Sequence, residues 1–326
     1  MFGETRGPAP DQIEFLLLPS FSMIAFTSAV EPLRAANMLG GETFYSWRTY
    51  SIDGAPVRAS NDITISPHGA LADTGEAPTL IVCAGVGGER FDDARVLARL
   101  RELARRGVAL GGICTGAWAL ARAGLLGGYR CTIHWENVEG FAEEFPDLEI
   151  TATLFEVDRS RYTCSGGTAP LDMMINSIAR DHDDDLAIRV AELLVHHAVR
   201  HPHDMQRMPL QHRTGIAHPK LLAVIAHMEA YVESPVPVRE LADAVGISNR
   251  QLERLFQERL GKTPSHYYVE LRLQRARLLL LQTSMSVLHV AVATGFTSAS
   301  HFARAYRARF GRTPTDERRR MERVPK

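Results

Sequence analysis

Cys114 closes the apolar run Val108-Ala109-Leu110-Gly111-Gly112-Ile113, and Thr115-Gly116-Ala117-Trp118-Ala119-Leu120 follows it as a helix start. A cysteine on so sharp a strand-to-helix turn is presented at the end of a sheet. Backbone N–H groups at a helix N-terminus bind anions there and lower a thiol pKa. The residue types suit either nucleophilic sulfur chemistry or a pocket for an anionic group. A nucleophile needs an activating partner. His134, in Thr132-Ile133-His134-Trp135, is a candidate for that role, for a ligand contact, or for a core histidine held by one hydrogen bond.

The surrounding residues favour binding. Gly85-Val86-Gly87 and Cys114-Thr115-Gly116 are backbone nests suited to a carboxylate. Trp118, Trp135 and Phe21 are aromatic faces for a cationic group, with Glu31 as counter-charge. Ser165-Gly166-Gly167-Thr168 precedes a helix and completes the wall. The expected ligand is a small zwitterion, an amino acid or betaine-like amine. The expected contacts are Glu31, Gly85, Val86, Gly87, Cys114, Thr115, His134, Trp135, Gly166 and Thr168.

Elements must place these residues. Ile13 to Leu18, Thr79 to Cys83 and Val108 to Cys114 read as buried strands, with one acid, Glu14, in the first. Helical patterns cover about 24–39, 91–105, 115–124 and 169–182, and a further one runs from Asp184 to His201. Strands alternating with helices predict a parallel sheet covered on both faces, with its ligand beyond the carboxyl ends of the strands.

The last third of the chain carries one pattern twice. Val238 to Gly246, then Leu252, Phe256 and Gly261-Lys262-Thr263-Pro264, is echoed by Val287 to Gly295, then Phe302, Tyr306 and Gly311-Arg312-Thr313-Pro314. The offset is 49 at the turn glycines and 50 at the closing glycines, so the second turn holds one extra residue. Each copy reads as helix, glycine turn and second helix, the helix-turn-helix plan. Leu252, Leu255, Phe256 and Leu260 form the buried stripe of the first recognition helix, leaving Arg250, Glu253 and Arg254 facing out. In the second, Ser300, His301 and Arg304 face out beside Phe302, Tyr306 and Phe310.

Charge divides the same way. Residues 214–326 hold 18 Lys and Arg against 10 Asp and Glu, a net +8, while the rest is −9. A basic end on an acidic body fits nucleic-acid binding beside a separate sensing part. No apolar stretch reaches the roughly 18 residues needed to span a bilayer, so no membrane partner is expected. Met1 to Gln12 has no secretion-signal pattern. Cys83, Cys114, Cys131 and Cys164 lack metal-type spacing and are expected as reduced thiols in the cytoplasm. The histidines of 196–218 lack a Cys or Glu set to complete a zinc site, so neither metal nor cofactor is expected. Residues 201–216 read as a linker.

The twin pattern resembles the AraC/XylS family of bacterial regulators over about residues 217–320. That resemblance implies a long helix from Ser265 to about Leu281 bridging the two units. It also implies promoter DNA as partner, with base contacts from Arg250, Glu253, Arg254, Ser300, His301 and Arg304. Arg suits guanine O6 and N7, and Glu suits cytosine N4. RNA polymerase is the further partner that the family implies. The glycine turns, the elbow and Glu31-Pro32-Leu33-Arg34-Ala35-Ala36-Asn37 resemble the DJ-1/PfpI superfamily over 12–183, and more narrowly the sensing domain of GlxA-type regulators. The fold implied is a DJ-1/PfpI-like, flavodoxin-like α/β sandwich over 12–200, then an all-α domain with two helix-turn-helix units. Pairing into a homodimer is expected. In enzymes of the superfamily the elbow cysteine is a nucleophile supported by an acid from the first helix. Ala25 stands where related hydratases carry that acid. A thiol-dependent hydratase or amidase, and a redox sensor working through Cys114, remain the alternatives to a non-enzymatic regulator.

Overall fold

The computed structural model describes residues 10–322 and divides them into two compact units, the first ending at Gln206 and the second beginning at Arg207. Part of the Met1 to Gln12 stretch, residues 1–9, lies outside the described residues.

The first unit is built on a seven-stranded sheet. In chain order its elements are β1 Asp11–Leu17, α1 Met23–Gly40, β2 Tyr45–Ser51, a small hairpin of β3 Val57–Arg58 and β4 Thr64–Ile65, β5 Gly69–Ala70, β6 Thr79–Cys83, α2 Ala94–Arg105, β7 Ala109–Ile113 and α3 Gly116–Arg122. There follow β8 Arg130–Cys131, α4 Val138–Glu144, β9 Glu149–Ile150, β10 Phe155–Asp158, β11 Arg161–Cys164, α5 Ala169–Asp181 and α6 Asp184–Leu193. The sheet order is β10-β11-β7-β6-β1-β2-β5. All pairings are parallel except β10 with β11, which closes the sheet with an antiparallel edge.

Alternation along β1 explains the two layers. Ile13, Phe15 and Leu17 face α1, α5 and α6, in a core shared with Ile81, Met173 and Ile178. Leu16 and Leu18 face α2, α3 and α4, with Leu80, Val82, Leu100, Trp118 and Phe141. Glu14 is the exception within the strand. It is 2% exposed, and its carboxylate accepts backbone N–H groups of Gly75 (2.6 Å), Glu76 (3.2 Å) and Ala77 (3.3 Å). A buried charge satisfied by three donors pins the loop that feeds β6.

Three features depart from the sequence-based expectation. The strands β2, β5, β10 and β11 of the sheet are additional to the three legible runs. Ser46, Trp47, Arg48 and Thr49 dilute the apolar pattern of β2, and β10 carries Glu156 and Asp158. The helix expected over 184–201 stops at Leu193. Val195 turns into the left-handed region at φ 55°, and the chain beyond it is captured by α5 rather than continuing along its own axis. Finally, residues up to Gln206 belong to the first unit, while Leu210–Thr214 forms a short helix, α7, in the second.

The second unit continues with α8 Pro219–Ala230, α9 Val238–Ala244, α10 Asn249–Leu260, α11 Pro264–Gln282, α12 Val287–Ala293, α13 Ala299–Phe310 and α14 Pro314–Glu322. It has two cores. Leu221, Ile225, Leu241, Leu252, Phe256 and Tyr268 form one, and Leu273, Leu280, Val290, Phe302 and Tyr306 form the other. The helix α11 supplies residues to both, which joins the two helix-turn-helix units along a single rod of 19 residues, about 28 Å long.

Replacing Glu14 with Leu leaves three N–H groups facing an apolar side chain. The expected cost is on the order of 3 kcal/mol, with Glu14→Gln intermediate because its single carbonyl keeps part of the set. Urea unfolding followed by far-ultraviolet circular dichroism reads this directly; an unchanged midpoint for Glu14→Leu would remove the pinning role.

Candidate functional site

The elbow is built by neighbours that leave no freedom to the backbone. Cys114 follows β7 at φ 59°, a left-handed conformation that a side chain rarely adopts. Its N–H donates to Cys164 O at 2.9 Å, which holds it level with the end of β11. Behind it lies Gly166 at φ 91°; a Cβ there would fall 2.7 Å from the Cys114 Cβ and 3.1 Å from Sγ. The Thr115 hydroxyl is buried and donates to Gly85 O at 2.6 Å, tying the elbow to the turn after β6. That turn is in turn held to the start of α1, since Ser22 N–H donates to Ala84 O and Val86 N–H donates to Ser20 O. The expected residues Gly85, Cys114, Thr115 and Gly166 are therefore brought together at the carboxyl edge of the sheet. Val86 is 73% exposed on the outer side of its turn, followed by Gly87 at φ 83°.

The elbow thiol departs from the electrostatics anticipated for a helix N-terminus. Burial pushes Cys114 up to about 11, outweighing the Thr115 N–H that pulls the other way, and the Glu136 carboxylate raises it further. The helix α3 has only seven residues, so its dipole is short. Burial likewise pushes up Cys131 and Cys164, each to about 12. Ala25 is fully packed in the core, so a methyl rather than an acid stands at this point of α1.

His134 and Trp135 stand on the loop between β8 and α4. Their rings lie 5.7 Å apart. The His134 pKa is lowered by burial and partly restored by Glu136, whose Oε2 lies 3.8 Å from Nδ1. His134 is accordingly a neutral imidazole at neutral pH. Glu136 acts on both the thiol and the imidazole, and sequence reasoning missed it. Its place two residues after His134 was the available signal.

Three aromatic or charged expectations change. Trp118 is fully buried against Phe141 and Phe145, with its indole N–H on Asn137 Oδ1 at 3.4 Å, so it is a core residue. Phe21 is also fully buried, edge-on to Phe26. Trp135, at 38% exposure, keeps an accessible face. The Glu31 carboxylate accepts from Arg34 Nε at 2.7 Å on the half-exposed side of α1, so its charge is answered locally. Thr168 precedes α5, and its hydroxyl accepts from Arg200 Nη2 at 2.8 Å.

The second site is the pair of recognition helices. Ser248 caps α10, accepting from Gln251 N–H while Gln251 Oε1 accepts from Ser248 N–H, a reciprocal box that commits both side chains. Arg250, Glu253 and Arg254 are exposed on α10, and Ser300, His301 and Arg304 are exposed on α13. Arg254 lies 3.7 Å from Glu258 in a loose surface pair, and the His301 ring sits 5.7 Å from Phe296.

A seam fixes the phase of the two units. Gly295, at φ 72°, lies so close to the 232–235 turn that a Cβ would fall 2.6 Å from Pro235 Cδ. The Arg272 guanidinium lies 4.1 Å over the Phe296 ring and donates to Thr294 O at 2.8 Å. Glu270 on α11 accepts from Lys262 at 2.5 Å and faces Arg309 at 3.7 Å.

An α/β domain with a cysteine elbow, continuous in sequence with two helix-turn-helix units, defines a two-part DNA-binding transcriptional regulator. Residues 12–180 match the DJ-1/PfpI family and residues 241–320 match a helix-turn-helix domain. The chain belongs to the DJ-1/PfpI family, among its members that are helix-turn-helix transcriptional regulators. It is similar to the HTH-type transcriptional regulator GbdR of Pseudomonas aeruginosa, with 48% identity over 309 residues covering 95% of this chain and 84% of that protein. It is also similar to CdhR of the same organism (46%, covering 93% and 90%) and to GlxA of Rhizobium meliloti (40%, covering 95% and 96%). Among solved structures, an AraC family transcriptional regulator from Pseudomonas putida is similar at 32% identity and TM-score 0.52, covering 57% of this chain and all of that one. Among the described residues no helix is long and apolar enough to cross a membrane.

The raised thiol pKa has a direct readout. A group pushed up to about 11 stays protonated at pH 7, with roughly one molecule in ten thousand as thiolate. Iodoacetamide labelling of Cys114, followed by mass spectrometry, should quicken about tenfold per pH unit from 8 to 10. A plateau reached near pH 7 would show an activated thiolate instead.

Proposed function

We propose that this regulator binds promoter DNA through α10 and α13 under control of a small zwitterionic metabolite held at the Cys114 elbow without turnover. The observation that carries the sensing half is the elbow itself, where Cys114, Thr115, Gly85 and Gly166 meet and the thiol keeps its proton. A protonated, half-buried thiol with neutral His134 and no acid at residue 25 favours binding over nucleophilic attack. The turns at Gly85–Gly87 and Gly166–Thr168 suit a carboxylate, the open face of Trp135 suits an ammonium group, and Glu136 joins or replaces Glu31 as counter-charge. An amino acid or a betaine-like amine satisfies both ends.

For the DNA half, six exposed side chains stand on the outward faces of two helices whose buried faces are aromatic and aliphatic. The rod α11 is about the length of one helical turn of DNA, ~34 Å, so successive major grooves on one face of the duplex are the fitting target. Arg250 and Arg254 supply guanidinium groups on α10, whereas α13 offers mostly small or neutral groups before Arg304, so α10 carries more of the base discrimination. We further propose that the protein acts in the cytoplasm as a homodimer on repeated half-sites and recruits RNA polymerase.

Arg250→Ala or Arg254→Ala should weaken binding to a selected cognate duplex by about 1–3 kcal/mol and relax its base preference. Titrations on cognate and scrambled duplexes distinguish this from phosphate contact, which would give equal losses on both. For the sensing half, a thermal-shift series across amino acids, glycine betaine and carnitine-like compounds should find a binder. At 100 times its dissociation constant it adds about 2.7 kcal/mol of stability. In a promoter–reporter assay Cys114→Ser should keep the response to that binder, while His134→Ala and Trp135→Ala diminish it. Loss of response in Cys114→Ser with folding and DNA affinity intact would instead restore a chemical role to the thiol.

A further inference from the structure

The chain that leaves the first unit is not a free tether. After α6, residues 194–206 run back along the elements that form the elbow site and are bonded to them at both ends. At the near end the anchor is Asp172, on the first turn of α5 and completely buried. Its Oδ1 accepts from Arg200 N–H at 2.8 Å and pairs with His196 Nε2 at 2.8 Å. Its Oδ2 accepts from Arg200 Nε at 3.0 Å and Nη2 at 2.6 Å. The same Nη2 reaches Thr168 Oγ1 at 2.8 Å, two residues beyond the glycine that touches Cys114. At the far end Gln206 Nε2 donates to Thr132 Oγ1 (3.0 Å), Ile133 O (2.9 Å) and Thr153 O (2.8 Å), directly before His134. Between the ends, Leu154 N–H donates to Pro202 O at 3.0 Å. The next residue, Arg207, begins the DNA-binding unit.

The strap also holds strain at its root. Val195 is a β-branched residue at φ 55°, 72% exposed, so no side-chain packing compensates it. Such a conformation persists only where the surroundings impose it. Here the imposition comes from His196 and Arg200, drawn to the buried carboxylate. A buried carboxylate with four polar contacts is costly to undo by halves, so the clasp is favoured to hold or release as a whole.

We propose that the 194–206 strap transmits occupancy of the elbow site to the DNA-binding unit, with Asp172 and Arg200 as its switch and Gln206 as its second anchor. This rests on the elbow being a binding site. A guest against Gly166–Thr168 and His134 displaces two segments to which the strap is bonded, and the displacement leaves the domain at the residue where the next one starts. Asp172, Arg200 and Gln206 are positioning residues, since they act through the strap.

The test fills the site without relying on a particular metabolite. In the full-length protein, 2-carboxyethyl methanethiosulfonate converts Cys114 to a mixed disulfide that places a carboxylate at the elbow. Mass spectrometry confirms the single adduct. Hydrogen exchange of amides 194–206 and affinity for a duplex selected from a random pool are then measured with and without it. In the wild type the adduct should change strap protection and alter affinity at least about fivefold. In Asp172→Asn and in Gln206→Ala, each checked for a native circular dichroism spectrum and unmodified DNA affinity, the change should fall within twofold. Gln206→Ala removes a part-buried amide held by three acceptors but leaves the buried Asp172 clasp intact, and so guards against a folding defect peculiar to the Asp172 variant. An adduct that leaves strap protection unmoved, or variants that respond as the wild type does, would overturn the proposal. Failure of the elbow as a metabolite site shows separately, as the absence of any thermal shift with free metabolites.

Discussion

The first domain depends on the close approach of two strand ends. Cys114 leaves β7 in a left-handed conformation while Gly166 leaves β11 directly against it, and no side chain fits between them. That contact requires β7 and β11 to be neighbours in register, which the pairing of Gly112 with Thr163 and Ile113 with Cys164 provides. Once it is made, α3 and α5 must start from the same edge of the sheet. The turn after β6 is drawn in by the Thr115 hydroxyl, which brings Gly85 to the same edge. Sulfur at residue 114 is then placed by geometry, and burial outweighs the short helix dipole in pushing its pKa up to about 11.

The second unit obeys a different constraint. Its two helix-turn-helix cores are small and do not merge. Each is marginal by itself, because little apolar area is available to so few residues. A shared helix solves this by presenting Tyr268 to one core and Leu273, Ala276 and Leu280 to the other. The seam at Gly295, Arg272 and Glu270 then sets the phase between recognition helices. Spacing on DNA becomes a property of packing among residues that do not face outward.

Buried polar groups connect these tasks to the rest of the fold. Glu14 fixes a loop through three backbone donors, and Asp172 gathers His196 and Arg200. Both carboxylates lie where the chain must be told where to go rather than where apolar area is gained. Replacing either by an apolar residue would strand its partners.

Sequence by itself determined the parts whose signal is local. Periodicity of 3.6 residues with glycine stops marked α9, α10, α12 and α13. Short continuous apolar runs marked β1, β6 and β7, and the strand-to-helix turn marked Cys114. Local signals survive because each depends on residues within one or two turns of one another. Only the tertiary structure decided the rest. It assigned Trp118 to the core, left Trp135 accessible and brought Glu136 to the thiol. It also broke the helix at Val195 so that Asp172 could hold the returning chain. Each of these outcomes turns on desolvation or on a partner more than twenty residues away, or on which face of an element is covered. A pattern along the chain carries no information about which of several polar groups will be buried together. For the same reason β2 and β10 were invisible: their strand character comes from pairing with neighbours that the sequence alone does not place beside them.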